Sequence, residues 1–251
     1  MFMSSTPFHL TGKTVLVTGA SSGIGRQVCI SAAAFGARVV LTGRHEERLR
    51  ETLDQLSGEG HELFTADLTQ PAQRDELIKQ LPALDGFVHC AGIVKALPVR
   101  FIDPTKMTEL EVNFEAPALF TAGLLRQKKL NRGASLIYLS SISGQHPPKG
   151  GALYGASKAA LESYVKVLAR ETAPQQIRAN CISPGMVKTP LYDQVEEEYS
   201  KPELDKHMAR YPLGVGYPED VANAAIYLLS PASRWVTGIN IILDGGFLLG
   251  E

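Results

Sequence analysis

The chain is 251 residues long, 44% hydrophobic and 20% charged, a composition that supports one sizeable core and falls short of two. Its 25 Lys and Arg against 26 Asp and Glu leave a formal charge of -1, which gives nucleic acid or an anionic membrane no electrostatic footprint, and neither is expected as a partner. Three widely spaced cysteines, Cys29, Cys90 and Cys181, argue against a disulfide framework and suit a reducing cytoplasm.

Met1 to Leu10 has no basic segment leading into an apolar run, so it does not read as a signal peptide. Residues 1–9 are expected as a disordered lead-in and 10–251 as one domain. No stretch reaches the roughly 20 uninterrupted apolar residues of a membrane span. Short β-branched runs then alternate with helical patterns. Strands are expected at 14–17, 38–41, 62–64, 86–88, 135–139, 180–182 and 239–243, and helices at 24–36, 46–57, 71–81, 105–130, 152–174 and 218–229. The apolar runs are continuous rather than alternating, as in strands covered on both faces. Strict strand–helix alternation then predicts an α/β fold, a doubly wound parallel sheet of about seven strands with helices on both sides. Between Pro184 and Pro218, the residues Pro190, Pro202, Pro212, Gly214 and Gly216 surround a polar helical piece. That composition suits a mobile substrate flap at about 186–217, with a solvated surface helix as the plainer alternative.

Thr18-Gly19-Ala20-Ser21-Ser22-Gly23-Ile24-Gly25 directly follows the first strand and runs into an apolar helix. A strand-to-helix turn built from glycine lets the backbone approach a pyrophosphate and turns the helix's free N–H groups toward it. Other residues carry chemistry downstream. Tyr154 and Lys158 stand four apart in a helical pattern and so share one face, while Ser141 precedes Tyr154 by 13 residues. Any one of these reads equally well as an amphipathic face or a turn cap; together they suggest a site.

The set resembles the short-chain dehydrogenase/reductase family in its classical form. TGxxxGxG at Gly19, Ser141 with YxxxK at Tyr154 and Lys158, Asn113 in Val112-Asn113-Phe114, Asn180-Cys181-Ile182-Ser183-Pro184-Gly185 and Asp244-Gly245-Gly246 all carry the likeness, which spans about residues 10–250. It implies a Rossmann fold and an NAD(P)-dependent oxidoreductase that interconverts ketone and secondary alcohol. Tyr154 would be the proton donor and acceptor, its pKa drawn down by the Lys158 cation and an oxidised nicotinamide. Ser141 would hold the carbonyl oxygen, and Asn113 would anchor a water linking Lys158 to solvent. Gly19, Ser21, Ser22, Gly23, Ile24 and Gly25 would receive the pyrophosphate, Asp67 and Leu68 the adenine, and Ala91 and Gly92 a close pass of the cofactor. Pro184, Gly185, Val187 and Thr189, with Tyr154 and Lys158, would complete the cofactor's lining.

NAD-selective members place a carboxylate at the end of strand two. Here Gly43 takes that place with Arg44 beside it, so NADP(H) is expected over NAD(H), through pairing of the guanidinium with a 2′-phosphate. Ser22 replaces a second basic residue seen in some NADP members. The family's usual Asn-Asn-Ala-Gly reads His89-Cys90-Ala91-Gly92, so a thiol replaces an amide that braces the sheet; Cys90 is read as a small buried hydrophobe or an oxidisable thiol. The histidines show no metal-ligand spacing, and no metal is expected.

A small carbonyl or alcohol substrate is expected among Val94 and Lys95, the segment from Ser143 to Leu153 with His146, Pro147 and Pro148, and Met186, Leu191 and Tyr192. The likeness to 3-oxoacyl-(acyl-carrier-protein) reductases makes a carrier protein a second candidate, with Lys128, Lys129 and Arg132 as docking cations, although Gln175 stands where such reductases carry an arginine. A catalytically silent nicotinamide-binding protein is the alternative from another class. A homotetramer is expected through the helices at 105–130 and 152–174 and through the last strand and the apolar tail Phe247-Leu248-Leu249.

Overall fold

The computed structural model describes residues 6–190, 192 and 201–250. Seven strands form one wholly parallel sheet: β1 (Thr14–Thr18), β2 (Arg38–Gly43), β3 (Glu62–Thr65), β4 (Leu84–His89), β5 (Leu130–Leu139), β6 (Arg178–Pro184) and β7 (Asn240–Leu243). Their order is β3-β2-β1-β4-β5-β6-β7, so the chain winds outward from β1 in one direction and from β4 in the other. This is the doubly wound sheet expected from the alternation.

Successive side chains of a strand leave opposite faces, and here both faces are dry. Val15, Val17, Val39 and Leu41 pack with α1 (Gly23–Ala34), α2 (Glu46–Leu53) and α8 (Pro218–Leu229), whereas Leu16, Val40, Phe87 and Leu136 pack with α3 (Pro71–Gln80), α5 (Ala116–Arg126) and α6 (Ala152–Thr172). The continuous apolar runs in the sequence follow from this double cover. A further helix, α7 (Lys201–Met208), lies in the region expected as a flap, of which Leu191 and residues 193–200 fall outside the described residues. No helix among the described residues is long and apolar enough to cross a membrane.

Two expectations need correcting. The helix expected at 105–130 is a short α4 (Thr108–Leu110), a π-turn at Glu111–Glu115 and then α5, and β5 already begins at Leu130. Pro117 explains the break: it has no N–H to give the carbonyl of Asn113, so the i to i+4 ladder gives way to a wider turn. Lys128, at a φ of 54°, then turns the chain out of the helix. The lead-in also departs from disorder, since the carbonyl of Pro7 accepts from Ala232 N at 3.0 Å and Phe8 lies 6.3 Å from the Tyr227 ring. Residues 1–5 lie outside the described residues.

The brace between β1 and β4 comes from His89 rather than from the residue after it. His89 Nδ1 lies 2.8 Å from Thr18 Oγ1 inside the sheet, and Nε2 has no protein partner. Burial, with help from the Lys158 charge, pulls the His89 pKa down to about 3. A ring that titrates near 6.5 when unfolded and near 3 when folded is neutral in both states at pH 7, and below pH 6.5 only the unfolded chain takes up the proton. Stability is therefore expected to fall on acidification across that window, by up to about 1.4 kcal/mol per pH unit from this ring alone. Urea titrations at several pH values should show a shallower acid slope in His89→Asn than in the unmodified chain.

Candidate active site

Every chemically promising residue lies at the carboxyl ends of the strands, where the opposed windings from β1 and β4 leave a crevice. The turn after β1 is shaped by Gly19, whose φ of 66° suits glycine and whose missing Cβ would stand 2.7 Å from Ala91 N. Ser22 is the N-cap of α1 and leaves the helix's first N–H groups turned into the crevice. A cavity of about 520 Å³ runs from this turn across the ends of β2 and β3. Gly19, Ser21, Ser22, Gly23, Ile24 and Gly25 line it, as do Arg44, Asp67 and Leu68 and, on the β4 side, Ala91, Gly92 and Thr189. Arg44 is exposed there and makes no hydrogen bond or ion pair with any described residue. Asp67 fixes the turn after β3 by accepting from Thr69 N at 3.0 Å and Thr69 Oγ1 at 2.8 Å through the same oxygen.

A second cavity, of about 300 Å³, shares Ile24, Gly92 and Thr189 with the first and holds Ser141, Tyr154, Lys158, Pro184, Gly185 and Val187. Of the residues expected around the substrate, Val94, Ser143, His146, Pro148, Met186 and Tyr192 line it, while Lys95 faces the larger cavity. Ser141 caps the turn Ile142–Gly144, accepting from Ser143 N at 3.1 Å and leaving its hydroxyl hydrogen free to donate. Lys158 Nζ stands 5.7 Å from the centre of the Tyr154 ring and donates to the carbonyl of Leu139 at 2.7 Å. Burial brings the Lys158 pKa down to about 8.

Among the chain's own groups, burial rather than the Lys158 cation sets the Tyr154 pKa. Burial pushes the phenol up, and its hydrogen bond with Ser141 opposes this only in part. The tyrosine is thus protonated at neutral pH, the form in which an acid has a proton to give. Asn113 sits on the π-turn, fully buried: its amide donates to Ile93 O at 2.9 Å and Ser157 Oγ at 3.1 Å and accepts from Ile93 N at 2.8 Å. It thereby fixes the segment after β4 against α6.

The sequence reading missed three features of this crevice. Arg48, in the first turn of α2, lines the larger cavity, and its side chain has no partner among the described residues. His207, Tyr211 and Phe247 line the smaller one. Glu162, one turn beyond Lys158, gathers both flanks of Ser141. Its Oε1 lies 2.9 Å from Ser140 Oγ and 3.1 Å from Ser183 Oγ, and its Oε2 accepts from Gln145 Nε2 at 3.1 Å. Gly144 allows that approach, because a Cβ there would meet Oε1 at 2.9 Å.

A family profile described as enoyl-(acyl carrier protein) reductase matches residues 19–248. A 3-oxoacyl-(acyl-carrier-protein) reductase of Rickettsia felis is 34% identical over 96% of this chain and 98% of its own. Among solved structures, a short-chain type dehydrogenase/reductase from Mycobacterium marinum superposes with a TM-score of 0.82 at 33% identity, over 96% of this chain and 97% of its own. The chain belongs to the short-chain dehydrogenase/reductase family. A candidate NAD(P)-dependent gluconate 5-dehydrogenase from Beutenbergia cavernae, with NADP bound, is also similar, at 29% identity and a TM-score of 0.88 over 98% of this chain and 100% of its own. As a short-chain dehydrogenase/reductase, this protein is an oxidoreductase of the ketone and alcohol type.

Glu162→Ala leaves the buried Ser183 hydroxyl and the Gln145 amide without their acceptor, so stability is expected to fall by about 1–3 kcal/mol. The turnover number should drop more than the KM for the dinucleotide rises, because the serine's support is lost while the glycine turn is untouched. Glu162→Gln, which keeps an acceptor oxygen, should recover most of both. Unchanged stability and turnover in the alanine variant would show that the contacts are incidental.

Proposed function

We propose that the protein is an NADP(H)-dependent oxidoreductase interconverting a ketone and a secondary alcohol, with Tyr154 as acid and base. The observation that carries the reading is the meeting of Ser141, Tyr154 and Lys158 at one cavity that opens onto the glycine turn. The cleft fits a dinucleotide: the Cβ-free turn at Gly19, the N-terminus of α1 and the free Arg44 guanidinium match a pyrophosphate and a 2′-phosphate in chemistry and order. The nicotinamide, when bound, supplies or accepts the hydride.

In the reducing direction the substrate carbonyl oxygen is held by the Ser141 hydroxyl and receives the Tyr154 proton as negative charge builds on it. In the oxidising direction Tyr154 must take that proton, and the Lys158 ammonium favours the phenolate that does so. Protonation of Lys158 is lost as pH rises through about 8, so its help to the phenolate weakens above that value. Asn113 contributes by holding the segment around Ile93, and a water relay to Lys158 remains part of the proposal.

The carrier-protein variant has less support. Lys129 Nζ is spent on the carbonyls of Lys79 and Leu81, at 3.0 and 2.6 Å, and Arg132 donates to Pro174 O at 3.3 Å, which leaves Lys128 alone of the three expected docking cations. The homotetramer stays within the proposal, supported by Trp235, Ile239, Ile242 and Leu249, which are exposed along β7 and the tail. The silent-binder alternative predicts no turnover of any ketone.

Tyr154→Phe removes the proton donor beside the carbonyl, so turnover is expected to fall by about 100-fold or more with dinucleotide binding nearly unchanged. Steady-state rates and fluorescence titration of NADPH read the two quantities separately, and full activity in this variant would remove Tyr154 from the chemistry.

Cofactor choice is tested at the other end of the cleft. NADPH is expected to exceed NADH in kcat/KM by about 10–100-fold, equivalent to a charge-assisted contact of about 1.5–3 kcal/mol. Arg44→Ala should erase most of that preference and Gly43→Asp should invert it, with saturating rates little changed in both. Equal specificity constants in the unmodified enzyme would make Arg44 a solvated surface charge.

A further inference from the structure

The smaller cavity has a distinct back wall. Ile142, Tyr211 and Phe247 are buried together, and Met186, Val215 and Leu248 pack against them. The Tyr211 and Phe247 rings stand 4.7 Å apart, and the His207 ring lies 5.7 Å from the first and 5.4 Å from the second. The Tyr211 hydroxyl is already engaged, accepting from Met186 N at 3.1 Å. Ser141, Tyr154 and Lys158 line the same cavity, so a ketone whose oxygen meets Tyr154 has its body within the space that these rings wall.

Charge is confined to one end of the cavity. Among the described residues that line it there is no Asp, Glu or Arg, and Lys158 is the only lysine, its ammonium held at the reacting end by Leu139 O. Arg210 lies nearby, but its guanidinium packs 4.1 Å over the Phe247 ring and is not part of the lining. Burial, with help from the Arg210 charge, lowers the His207 pKa and so favours the neutral imidazole. A carboxylate or phosphate carried into this end would lose water and find no cation in return, whereas an apolar ring would be released from water onto other rings.

Resting on the ketone–alcohol reading above, we propose that the site selects neutral ketones with an apolar, ring-bearing body seated against Tyr211, Phe247 and His207, and discriminates against ketones that carry an anionic group at that end. The wall comes from three parts of the chain: the turn after β5, the segment ending α7, and the Gly245-Gly246-Phe247 tail. The selectivity therefore belongs to the tertiary structure rather than to the catalytic motif.

The test compares 4-phenyl-2-butanone with 4-(4-carboxyphenyl)-2-butanone in the unmodified full-length protein with NADPH. They differ by one charge at the far end of the same skeleton. We expect kcat/KM at least ten times higher for the neutral ketone, and competitive inhibition by 4-phenyl-2-butanol but not by its carboxylated counterpart. His207→Lys, which sets a cation in the wall, should shrink the ratio at least fivefold. Equal specificity constants, or a preference for the carboxylate, would overturn the assignment of substrate class and leave the oxidoreductase reading standing. Turnover of neither compound, nor of any ketone in a broader panel with NADPH or NADH, would overturn both. If the lysine variant does not fold, the ratio in the unmodified protein still decides.

Discussion

A wholly parallel sheet must be covered on both faces, and this one constraint arranges everything else in the molecule. Crossovers to β2 and β3 leave β1 on one side, and crossovers to β5, β6 and β7 leave β4 on the other, so the turns after β1 and β4 part company over a gap that no helix fills. More than twenty buried apolar residues in the core on each face keep the strands fixed beneath that gap. The loops above it can then carry residues chosen for chemistry and not for packing. The glycine turn, the Ser141 turn and the Pro184-Gly185 corner are all such strand-end loops, held in register by the sheet below.

The same burial that fixes the strands tunes the groups just above them. His89, Lys158 and Tyr154 sit at or near the top of the core, and each is pushed toward its neutral form by loss of water: the imidazole to about 3, the ammonium to about 8, the phenol upward. Water loss alone would silence the site. What restores function is the placement of fixed dipoles, namely Leu139 O on Lys158, the Ser141 hydroxyl on Tyr154 and the Glu162 carboxylate behind Ser141, which keep the donors and acceptors oriented without further bulk solvent. Removing any one of them asks a half-desolvated neighbour to find a partner that is not there.

How much of this was legible in the sequence follows the range of the interactions involved. Strands β1, β2, β4 and β6 were readable because burial on both faces writes an unbroken apolar run, and the set Ser141, Tyr154, Lys158 because one turn and one helical face fix their spacing. The helix at 105–130 was overextended because the pattern alone does not say that Pro117 interrupts the ladder, nor that the polar stretch after Lys128 re-enters the sheet as an edge of β5. Glu162, Arg48 and the ring wall were invisible for a different reason. Glu162 meets Ser140, Ser183 and Gln145 across 17 to 22 positions of sequence, and Phe247 meets His207 across the whole of α8 and β7. Such contacts carry no local period, and only the folded topology brings them together. The segment 193–200, inside the expected flap, lies outside the described residues.

The two ends of the crevice are electrostatic opposites, a division that the proposed reaction would use. At the β2 end Arg44, in the turn just after β2, and Arg48, on α2, are both exposed and their side chains make no hydrogen bond or ion pair with any described residue; the first turn of α2 also carries Glu46 and Glu47. Exposed cations of this kind cost little to keep in water and are free to meet a multiply charged ligand, with carboxylates close by to discourage anions that cannot bridge both arginines. At the β5 and β6 end Lys158, the only lysine among the described lining residues, is buried and partly discharged, and the remaining lining is hydroxyl, ring and aliphatic. Binding energy gathered at the wet, cationic end is remote from the reacting bond, so it anchors the ligand without stabilising ground state over transition state at the dry end. The dry end in turn makes each dipole aimed at the carbonyl oxygen count for more as charge develops there. A charge introduced at the ring wall would erode that division between the polar group Ser141, Tyr154 and Lys158 and the apolar rings that share so small a cavity with it.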